Sequence, residues 1–390
     1  MIKKIFTSLI LISLMLLTFV FNLYGEKTEE ITELIKVKIG ITPYGFAMMF
    51  PAMQETGIDH EFGIDFEIVD FPSSAGTFQA LVRGDLDIVN EDMSVHIAAI
   101  QNAPEIVTFG TNNLFKGFIL IGRKGVDKSY KEVLAELGNA DEAKMKILNS
   151  MKGSEFVAAP FFAGVISDAL QQVGLTLDDV NHIQFADDQK AASAYISGVG
   201  DFYLGSLPQE VKMLNMPDLF VNMGGNTEIM GPASLFYGGI QTTRKYYEDD
   251  YDTLLRVQAA FYRGVRYLRQ ALETDDKHHL WIQLMREHLN KRTAGTMTDE
   301  EMWYNEMNYE EIFSYERAWE VALDPKSDLY WKITGDYQMH VEIGLGHLDG
   351  PVDLKKDYMF WEKTYADLSK RRDLMDLINK PLTPLQRKTQ

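Results

Sequence analysis

The chain has 390 residues, of which 46% are hydrophobic, and this length and apolar content exclude a disordered protein and allow two domains with their own cores. Its net charge of −19 disfavours nucleic acid, whose phosphates would repel it, and favours a soluble monomer. The lack of cysteine excludes disulfides, thiolate catalysis, a lipid-modified cysteine and cysteine-based zinc sites.

The N-terminus has the pattern of an export signal. Lys3 and Lys4 precede an apolar run over residues 5–23, and small and polar residues follow. This pattern predicts a signal peptide over residues 1–25 and a polar lead-in over 26–36. The apolar run is also long enough to remain as an uncleaved membrane anchor. Either outcome places the rest of the chain in a periplasmic or extracytoplasmic location.

Strands and helices alternate through the first half of the chain. Alternating apolar and polar residues predict a strand over residues 37–41, and short apolar stretches are interpreted as strands over residues 66–69, 86–89, 106–109, 118–121 and 156–159. Helical spacing predicts helices over residues 46–56, 78–82, 94–102 and 165–173. This alternation indicates largely parallel sheets. A charged, helix-prone insertion spans residues 127–150, and the chain is mostly helical from Arg244 onward.

Two segments of the chain share one order of elements. Residues 71–94 align without a gap with residues 185–208. The identical pairs are Phe71 with Phe185, Ala80 with Ala194, Gly84 with Gly198, and Asp87 with Asp201. A unit built twice predicts two similar lobes. Because ligand sites in open α/β sheets lie at the carboxyl ends of strands, we expect the loops after the repeated strands to face one another across a cleft.

Two crossings connect the predicted lobes. The first is expected at residues 111–113 and the return at residues 234–241. The predicted organisation is lobe 1 over residues 37–113 and 238–380, lobe 2 over 114–237, and a disordered tail over 381–390.

Three stretches carry a resemblance to a known family. They are Gly-Ile-Thr-Pro-Tyr-Gly at residues 40–45, an FP…G…AL..G..D segment within 71–110, and residues 151–207 with Gly174-Leu175 ahead of Asp178-Asp179-Val180. In their order and spacing they resemble the substrate-binding proteins of ABC importers for nitrate, sulfonates, taurine and thiamine-pyrimidine precursors.

The resemblance implies a bilobed type II periplasmic-binding-protein fold, with two open, mostly parallel sheets flanked by helices. It further implies a small-molecule ligand at the hinge cleft, closure of the lobes around it, and an ABC permease as the membrane partner. The insertion and the extended helical C-terminal part exceed a minimal family member, and one role open to them is covering part of the cleft.

The candidate ligand contacts combine aromatic, small and acidic side chains. Flat rings on opposing lobes can hold a planar ligand, and helix starts with small residues suit an anionic group. Glu91 and Asp92 would repel an anion but would bind an amine, an amidine or a protonated heterocycle. Asp92 has the alternative of capping the helix near Met93, and Glu91 that of solvent exposure. The predicted ligand-binding side chains are Tyr44, Ser73, Ser74, Glu91, Asp92, Phe161, Phe162 and Ser206.

The leading functional hypothesis is a binding protein that delivers a small nutrient to an importer. The expected ligand is a heterocycle like a thiamine-pyrimidine precursor, or a zwitterion like a sulfonate or taurine. An enzyme or a sensor domain on the same fold stays open as an alternative. The scattered histidines and the absence of a nucleophile motif predict no metal site, no cofactor and no catalytic residue.

Overall fold

The computed structural model describes residues 33–205, 207–226 and 228–388. Residues from Ile35 onward form one compact unit. The predicted signal peptide and Ser206 lie outside the described residues. Across the part of the chain that the structure describes, no helix combines the length and apolarity needed to cross a membrane.

Eleven strands lie in the described residues. They are β1 Ile35–Ile41, β2 Ile64–Asp70, β3 Ile88–Asp92, β4 Ile106–Phe115, β5 Ile119–Arg123, β6 Glu155–Ala158, β7 Asn181–Gln184, β8 Phe202–Tyr203, β9 Phe220–Gly225, β10 Phe236–Thr243 and β11 Glu310–Ile312.

The α-helices connect and cover these strands. In chain order they are α1 Met49–Thr56, α2 Ile58–Glu61, α3 Ser74–Arg83, α4 Met93–Ala99, α5 Tyr130–Leu137, α6 Ala140–Ser150, α7 Ala163–Gln171, α8 Asp188–Ile196, α9 Leu207–Leu214, α10 Arg244–Asp249, α11 Tyr251–Glu273, α12 Leu280–Thr293, α13 Asp299–Asn308, α14 Tyr315–Arg317, α15 Trp331–Gly344, α16 Leu354–Asp357, α17 Trp361–Leu368 and α18 Arg372–Asn379. Short 3₁₀ turns occupy Phe46–Met48, Pro160–Phe162, Leu177–Asp179 and Pro232–Ser234, and a π-helical turn occupies Ala318–Leu323.

The strands form two mixed sheets. The first has the order β11-β4-β10-β3-β1-β2, with β1 parallel to β2 and β3, and with β10 antiparallel to β3 and β4. The second has the order β7-β6-β8-β5-β9, with β6 parallel to β7 and β8. Helices flank both sheets, and the predicted α/β fold class is confirmed. The sheets are mixed and not mostly parallel as predicted, because β4, β5 and β10 run antiparallel to the strands beside them.

The first sheet owes its core to apolar alternation and to one long helix. Val37, Ile39 and Ile41 of β1 are almost fully buried. Helix α11 packs an apolar face against this sheet, as the spacing of its apolar residues predicts. The second sheet has separate hydrophobic clusters, so each sheet folds around its own core.

The crossings lie a few residues from their predicted positions. Residues 111–113 are in the middle of β4, because that strand continues to Phe115 by pairing with β10 and β11. The first crossing is therefore residues 116–118. Similarly, β10 already belongs to the first sheet from Phe236, so the return falls between Gly225 and Phe236.

Two other segments differ from the sequence prediction. The chain is predicted to be mostly helical from Arg244 onward, but Glu310–Ile312 is a strand, because it pairs with the free edge of β4. Residues 381–388 are predicted to be disordered, but they pack against the hydrophobic core of the first sheet. Leu382 and Leu385 pack on its core, and Arg387 pairs with Glu55 and Glu287.

Candidate ligand-binding cavity

A small cavity of about 40 Å³ lies beside the chain crossings and between the two sheets. We call it the cleft cavity. Its walls come from the loop after β1, from the ends of β3 and β4, from the first crossing, from the start of α9, from the start of β10 and from the helical C-terminal part. The lining residues are Tyr44, Gly45, Phe46, Asp92, Phe115, Phe118, Phe162, Leu207, Pro208, Phe236, Leu289, Met297, Asn305 and Glu310. Its size suits a compact ligand.

One wall of the cavity is a cluster of phenylalanines. The ring of Phe118, in the first crossing, meets the rings of Phe115, Phe162 and Phe236 edge to face at 4.7, 5.3 and 4.8 Å between centroids. On another wall Tyr44 stacks with Phe46 at 6.2 Å. Phe115, Phe118 and Phe236 were not among the sequence candidates, although their position beside the crossings is a signal that could have found them.

Asp92 is the last residue of β3 and faces the cavity. Its backbone occupies the N-cap position of α4, but its side chain makes no capping hydrogen bond. The side chain is 6% exposed, and its Oδ1 atom has no hydrogen-bond partner within the described residues. Burial, reinforced by the neighbouring Glu91, raises the pKa of Asp92 well above its usual range.

Glu91 lies in β3 behind the cavity wall and is fully buried, so the solvent-exposed alternative is wrong. Its carboxyl accepts hydrogen bonds from the hydroxyls of Thr77 at 2.8 Å and Thr42 at 3.3 Å. Gln241 bonds both its backbone N–H and its carbonyl. Burial raises the pKa of Glu91 to about 7, against the opposing effect of the hydroxyl hydrogen bonds. Glu91 therefore does not line the cavity, and its charge acts on two residues that do, raising the pKa values of Asp92 and Tyr44.

A second acidic group comes from the C-terminal part and was missed from the sequence. Glu310 begins β11, and its Oε2 atom accepts a hydrogen bond of 2.5 Å from the amide of Asn113. Glu306, on α13, accepts one of 2.9 Å from Asn305. A Cβ placed on Gly45 would lie 3.6 Å from Oε1 of each glutamate. Both carboxyls therefore converge on the loop after β1.

Burial controls the ionisation of this pair. Glu306 and Glu310 are 2% and 6% exposed. Burial raises the pKa of Glu306 to about 8. The pKa of Glu310 is raised well above its usual range by burial, and further by Glu306 and Asp92. Asp92 and Glu310 line the same cavity, which is why the charge of Asp92 contributes to the raised pKa of Glu310.

The second sheet adds acids on the facing side. Glu210, on α9, accepts a hydrogen bond of 2.9 Å from the backbone N–H of Ile119. Asp188, at the start of α8, accepts one of 2.6 Å from the hydroxyl of Tyr203. The pKa of Tyr44 is raised by burial and then by Glu91, Asp188 and Asp92, so Tyr44 lies in the field of acids from both sheets.

Five buried acids of this region have no basic ion-pair partner within the described ranges. No lysine, arginine or histidine in those ranges forms an ion pair with Glu91, Asp92, Glu210, Glu306 or Glu310. A second hollow, which Glu306 and Glu310 also line, does contain Lys116 and Arg317. Both of these pair with Glu311 instead, at 3.3 and 2.5 Å.

The structure brings together some of the predicted site residues. Tyr44, Asp92 and Phe162 line the cavity. Ser73 and Ser74 lie at the start of α3, and neither they nor Glu91 line it. Phe161 belongs by its backbone to the 3₁₀ turn Pro160–Phe162, and Ser206 is outside the described residues. Ligand contact by any of these residues stays a prediction.

A possible metal-ligand group lies elsewhere. The ligand atoms of Asp59, His60 and Asp65 are within 4.8 Å of one another. The ammonium group of Lys388 lies 3.1 Å from Oδ1 of Asp59 and 2.9 Å from Nε2 of His60. The Lys388 ammonium group already supplies the positive charge beside these acids, which argues against a metal ion there.

No protein-family model matches the sequence, and no curated protein is significantly similar to it. Solved structures do match the fold. The aliphatic sulphonate binding protein SsuA from Escherichia coli aligns with 85% of this chain and 99% of its own, at a TM-score of 0.60 and 14% identity. The nitrate-binding protein NrtA from Synechocystis aligns with 90% of this chain and 92% of its own, at 0.60 and 13%.

A third structure is the ligand binding component of an ABC-type import system from Staphylococcus aureus with zinc bound. It aligns with 86% of this chain and 99% of its own, at a TM-score of 0.59 and 12% identity. At such low identities, likeness establishes the fold and leaves function to be argued from the site. The chain has the periplasmic binding protein fold, which it shares with substrate-binding proteins of ABC importers.

Proposed function

We propose that the chain is an extracytoplasmic solute-binding protein that captures a small nutrient in the cleft cavity and delivers it to an ABC permease. The observation that carries the proposal is the position of the cavity. It lies beside both crossings, with walls from β3, from α9 and from the C-terminal part. Its mixture of aromatic rings and a few polar groups is typical of small-molecule sites.

Capture in such a site needs a difference in affinity between the open and the closed arrangement of the two sheets. A ligand that touches both sides stabilises the closed form. Hydrogen bonds also link the two sides directly. Asn215, the residue after α9, donates a 2.6 Å hydrogen bond to Glu301 of α13, and the hydroxyl of Tyr337 donates one to Asp168. The two short crossings are the segments where rotation would occur.

The proposal assigns the cavity to binding alone, with no bond made or broken. Its ligand would be selected by shape and charge and would be released when the cleft opens. Export follows from the signal-peptide pattern, and a monomer with a permease as its partner follows from the resemblance and the acidic surface.

The first test identifies what the protein carries. The full chain is expressed with its own N-terminus and purified from the exported fraction, and the small molecules released on denaturation are identified by mass spectrometry. We expect one compact compound at close to one equivalent. N-terminal sequencing should begin near Glu26. Solution scattering should show a smaller radius of gyration with that compound than without it.

Two results would contradict the proposal. One is a purified protein that releases no small molecule and whose melting temperature no small molecule raises. The other is turnover of the released compound by the protein, which would favour the enzyme alternative.

A further inference from the structure

We infer that the cleft cavity takes a compact organic cation, such as an ammonium, an amidinium or a protonated heterocycle, with Asp92, Glu306 and Glu310 as its counter-charges. The inference rests on the proposed function and names the ligand class for the same site. It would assign the extended C-terminal part, which supplies two of these three acids, a direct role in ligand recognition.

The first argument is that three buried carboxyls lack a cationic partner that would favour their ionised form. Asp92 and Glu310 line the cavity, and Glu306 converges with Glu310 on the Gly45 loop. Among the described residues none of the three has a basic partner, and no lysine or arginine lines the cavity. Buried carboxyls without a cation are costly, so proteins normally pair them. A bound cation would provide the missing partner.

The second argument is the set of open acceptors. Asp92 Oδ1, Glu306 Oε2 and Asn305 Oδ1 are buried and lack a hydrogen-bond partner within the described residues. Each of these residues is at most 6% exposed. Unsatisfied buried polar atoms are rare in native proteins and need a reason. All three atoms are acceptors when the acids are ionised, so the group that satisfies them must be a donor such as an N–H.

The third argument is the aromatic wall. The rings of Phe115, Phe118, Phe162 and Phe236 form one edge-to-face cluster beside the acids. Aromatic faces attract organic cations, most strongly where water is excluded. A hydrated inorganic anion would gain nothing from this wall, whereas an alkylated or heteroaromatic cation can use the rings and the carboxyls together.

A metal ion fits this site less well than an organic cation. Calcium and magnesium need several oxygen ligands converging at about 2.0–2.6 Å. Within the part of the chain that the structure describes, Asp59, His60 and Asp65 make the one acid–histidine group tight enough to hold a metal ion, and this group lies elsewhere. The cavity acids are spread around a space, as expected for a ligand of several atoms.

The test compares probes that share a shape but differ in charge. Choline is set against its neutral isostere 3,3-dimethylbutan-1-ol, and tetramethylammonium, guanidinium and 4-aminopyrimidine are set against nitrate and methanesulfonate. Each probe is added in millimolar excess to the full chain stripped of its ligand by reversible unfolding. Melting temperature is recorded first, and titration calorimetry follows for any probe that raises it.

The variants are Asp92→Asn and Glu310→Gln, with Glu248→Gln as the matched control. Glu248 is exposed on α10, so its change alters net charge equally without touching the cavity. We expect one or more cations to bind, and expect Asp92→Asn and Glu310→Gln each to weaken that binding by about 10- to 100-fold. The control should bind as the parent chain does. Melting curves of the ligand-free variants establish that they fold.

The outcomes separate this inference from the proposed function. A released compound or a binding probe that is anionic or neutral, with an affinity unchanged by both cavity variants, would overturn the inference and leave the solute-binding function standing. If nothing is released and no probe binds, the proposed function fails, and the inference fails with it.

Discussion

The two repeated segments of this chain share one framework and differ at one end. Asp87 accepts a 2.8 Å hydrogen bond from the backbone N–H of Lys38 in β1, and the equivalent Asp201 accepts one of 2.8 Å from Glu155 in β6. In both cases the same aspartate also donates its own N–H to that residue's carbonyl. The shared residues therefore tie each repeated strand to its parallel neighbour.

The repeats diverge where their strands end at the cleft. Glu91 in the first repeat aligns with Gly205 in the second, and Asp92 aligns with Ser206. Glu91 is buried, and its carboxyl accepts hydrogen bonds from hydroxyl groups. Gly205 has no side chain and leaves room for the hydrogen bond between Tyr203 and Asp188. The comparison teaches that identical positions maintain the sheet, and that the residues able to recognise a ligand are found among the positions that differ.

The largest expected effect tests the acid at position 91. Because the folded-state pKa of Glu91 is about 7 and an unfolded glutamate has a pKa near 4.5, the unfolded chain loses its proton first as pH rises. The contribution of Glu91 to the free energy of unfolding therefore decreases as the pH rises from about 4.5 to 7. It stays low above that range. Glutamine does not titrate, so we expect Glu91→Gln to lose less unfolding free energy than the parent over this pH range, by on the order of 3 kcal/mol.

Urea unfolding at pH 5 and pH 8 measures this difference. The ligand-free parent chain should lose more stability between the two pH values than Glu91→Gln does, and Glu248→Gln should behave as the parent. Equal losses in all three proteins would show that Glu91 titrates normally.

The next effect tests the glycine at the equivalent position. A Cβ on Gly205 would lie 1.8 Å from the Tyr203 hydroxyl and 2.4 Å from Oδ1 of Asp188, so Gly205→Ala must displace a buried hydrogen bond. We expect it to cost about 2 kcal/mol of unfolding free energy. Gly45→Ala is the control, because its Cβ would meet nothing closer than 3.5 Å and its backbone is right-handed. Similar costs for both variants would contradict the steric argument.

The framework aspartates should behave alike. Asp87→Ala and Asp201→Ala each remove one hydrogen bond to a backbone N–H, and each should cost about 1.5 kcal/mol in chemical unfolding. Values that differ by more than about twofold would break the equivalence of the repeats, since this spread exceeds normal context effects.

The smallest effect is expected at the shared glycines. Gly84 and Gly198 have φ of +79° and +103°, and a Cβ added at either position would meet no atom from another part of the chain within 4 Å. Backbone strain is therefore the main cost of an alanine at either site, about 1 kcal/mol. Thermal unfolding of Gly84→Ala and Gly198→Ala should show similar, modest decreases. An unchanged melting temperature in one of them would mean that its turn is free to rearrange.

Local patterns in the sequence are sufficient to predict the order of strands and helices and the repeated unit. Alternating apolar residues mark β1, and helical spacing marks α11, because both patterns lie within one element. The sequence predicts Tyr44, Asp92 and Phe162 as site residues because each ends a strand of an α/β unit or lies in the segment after one, where ligand sites lie.

The remaining residues of the cavity region, among them its C-terminal acids, can be identified only from the tertiary structure. Glu310 reaches it through β11, a three-residue strand that exists because the edge of β4 offers hydrogen-bond partners, so no local pattern announces it. Glu306 sits on a helix with other acids, and nothing in its neighbours distinguishes a buried carboxyl from an exposed one. Burial, and with it the shifted ionisation of these acids, depends on contacts between residues far apart in the chain, such as the 197 positions that separate Asn113 from Glu310. Such contacts form only when the chain has folded, which is why the sequence alone predicts the fold and some of the residues that line the cavity but not the acids of the C-terminal part.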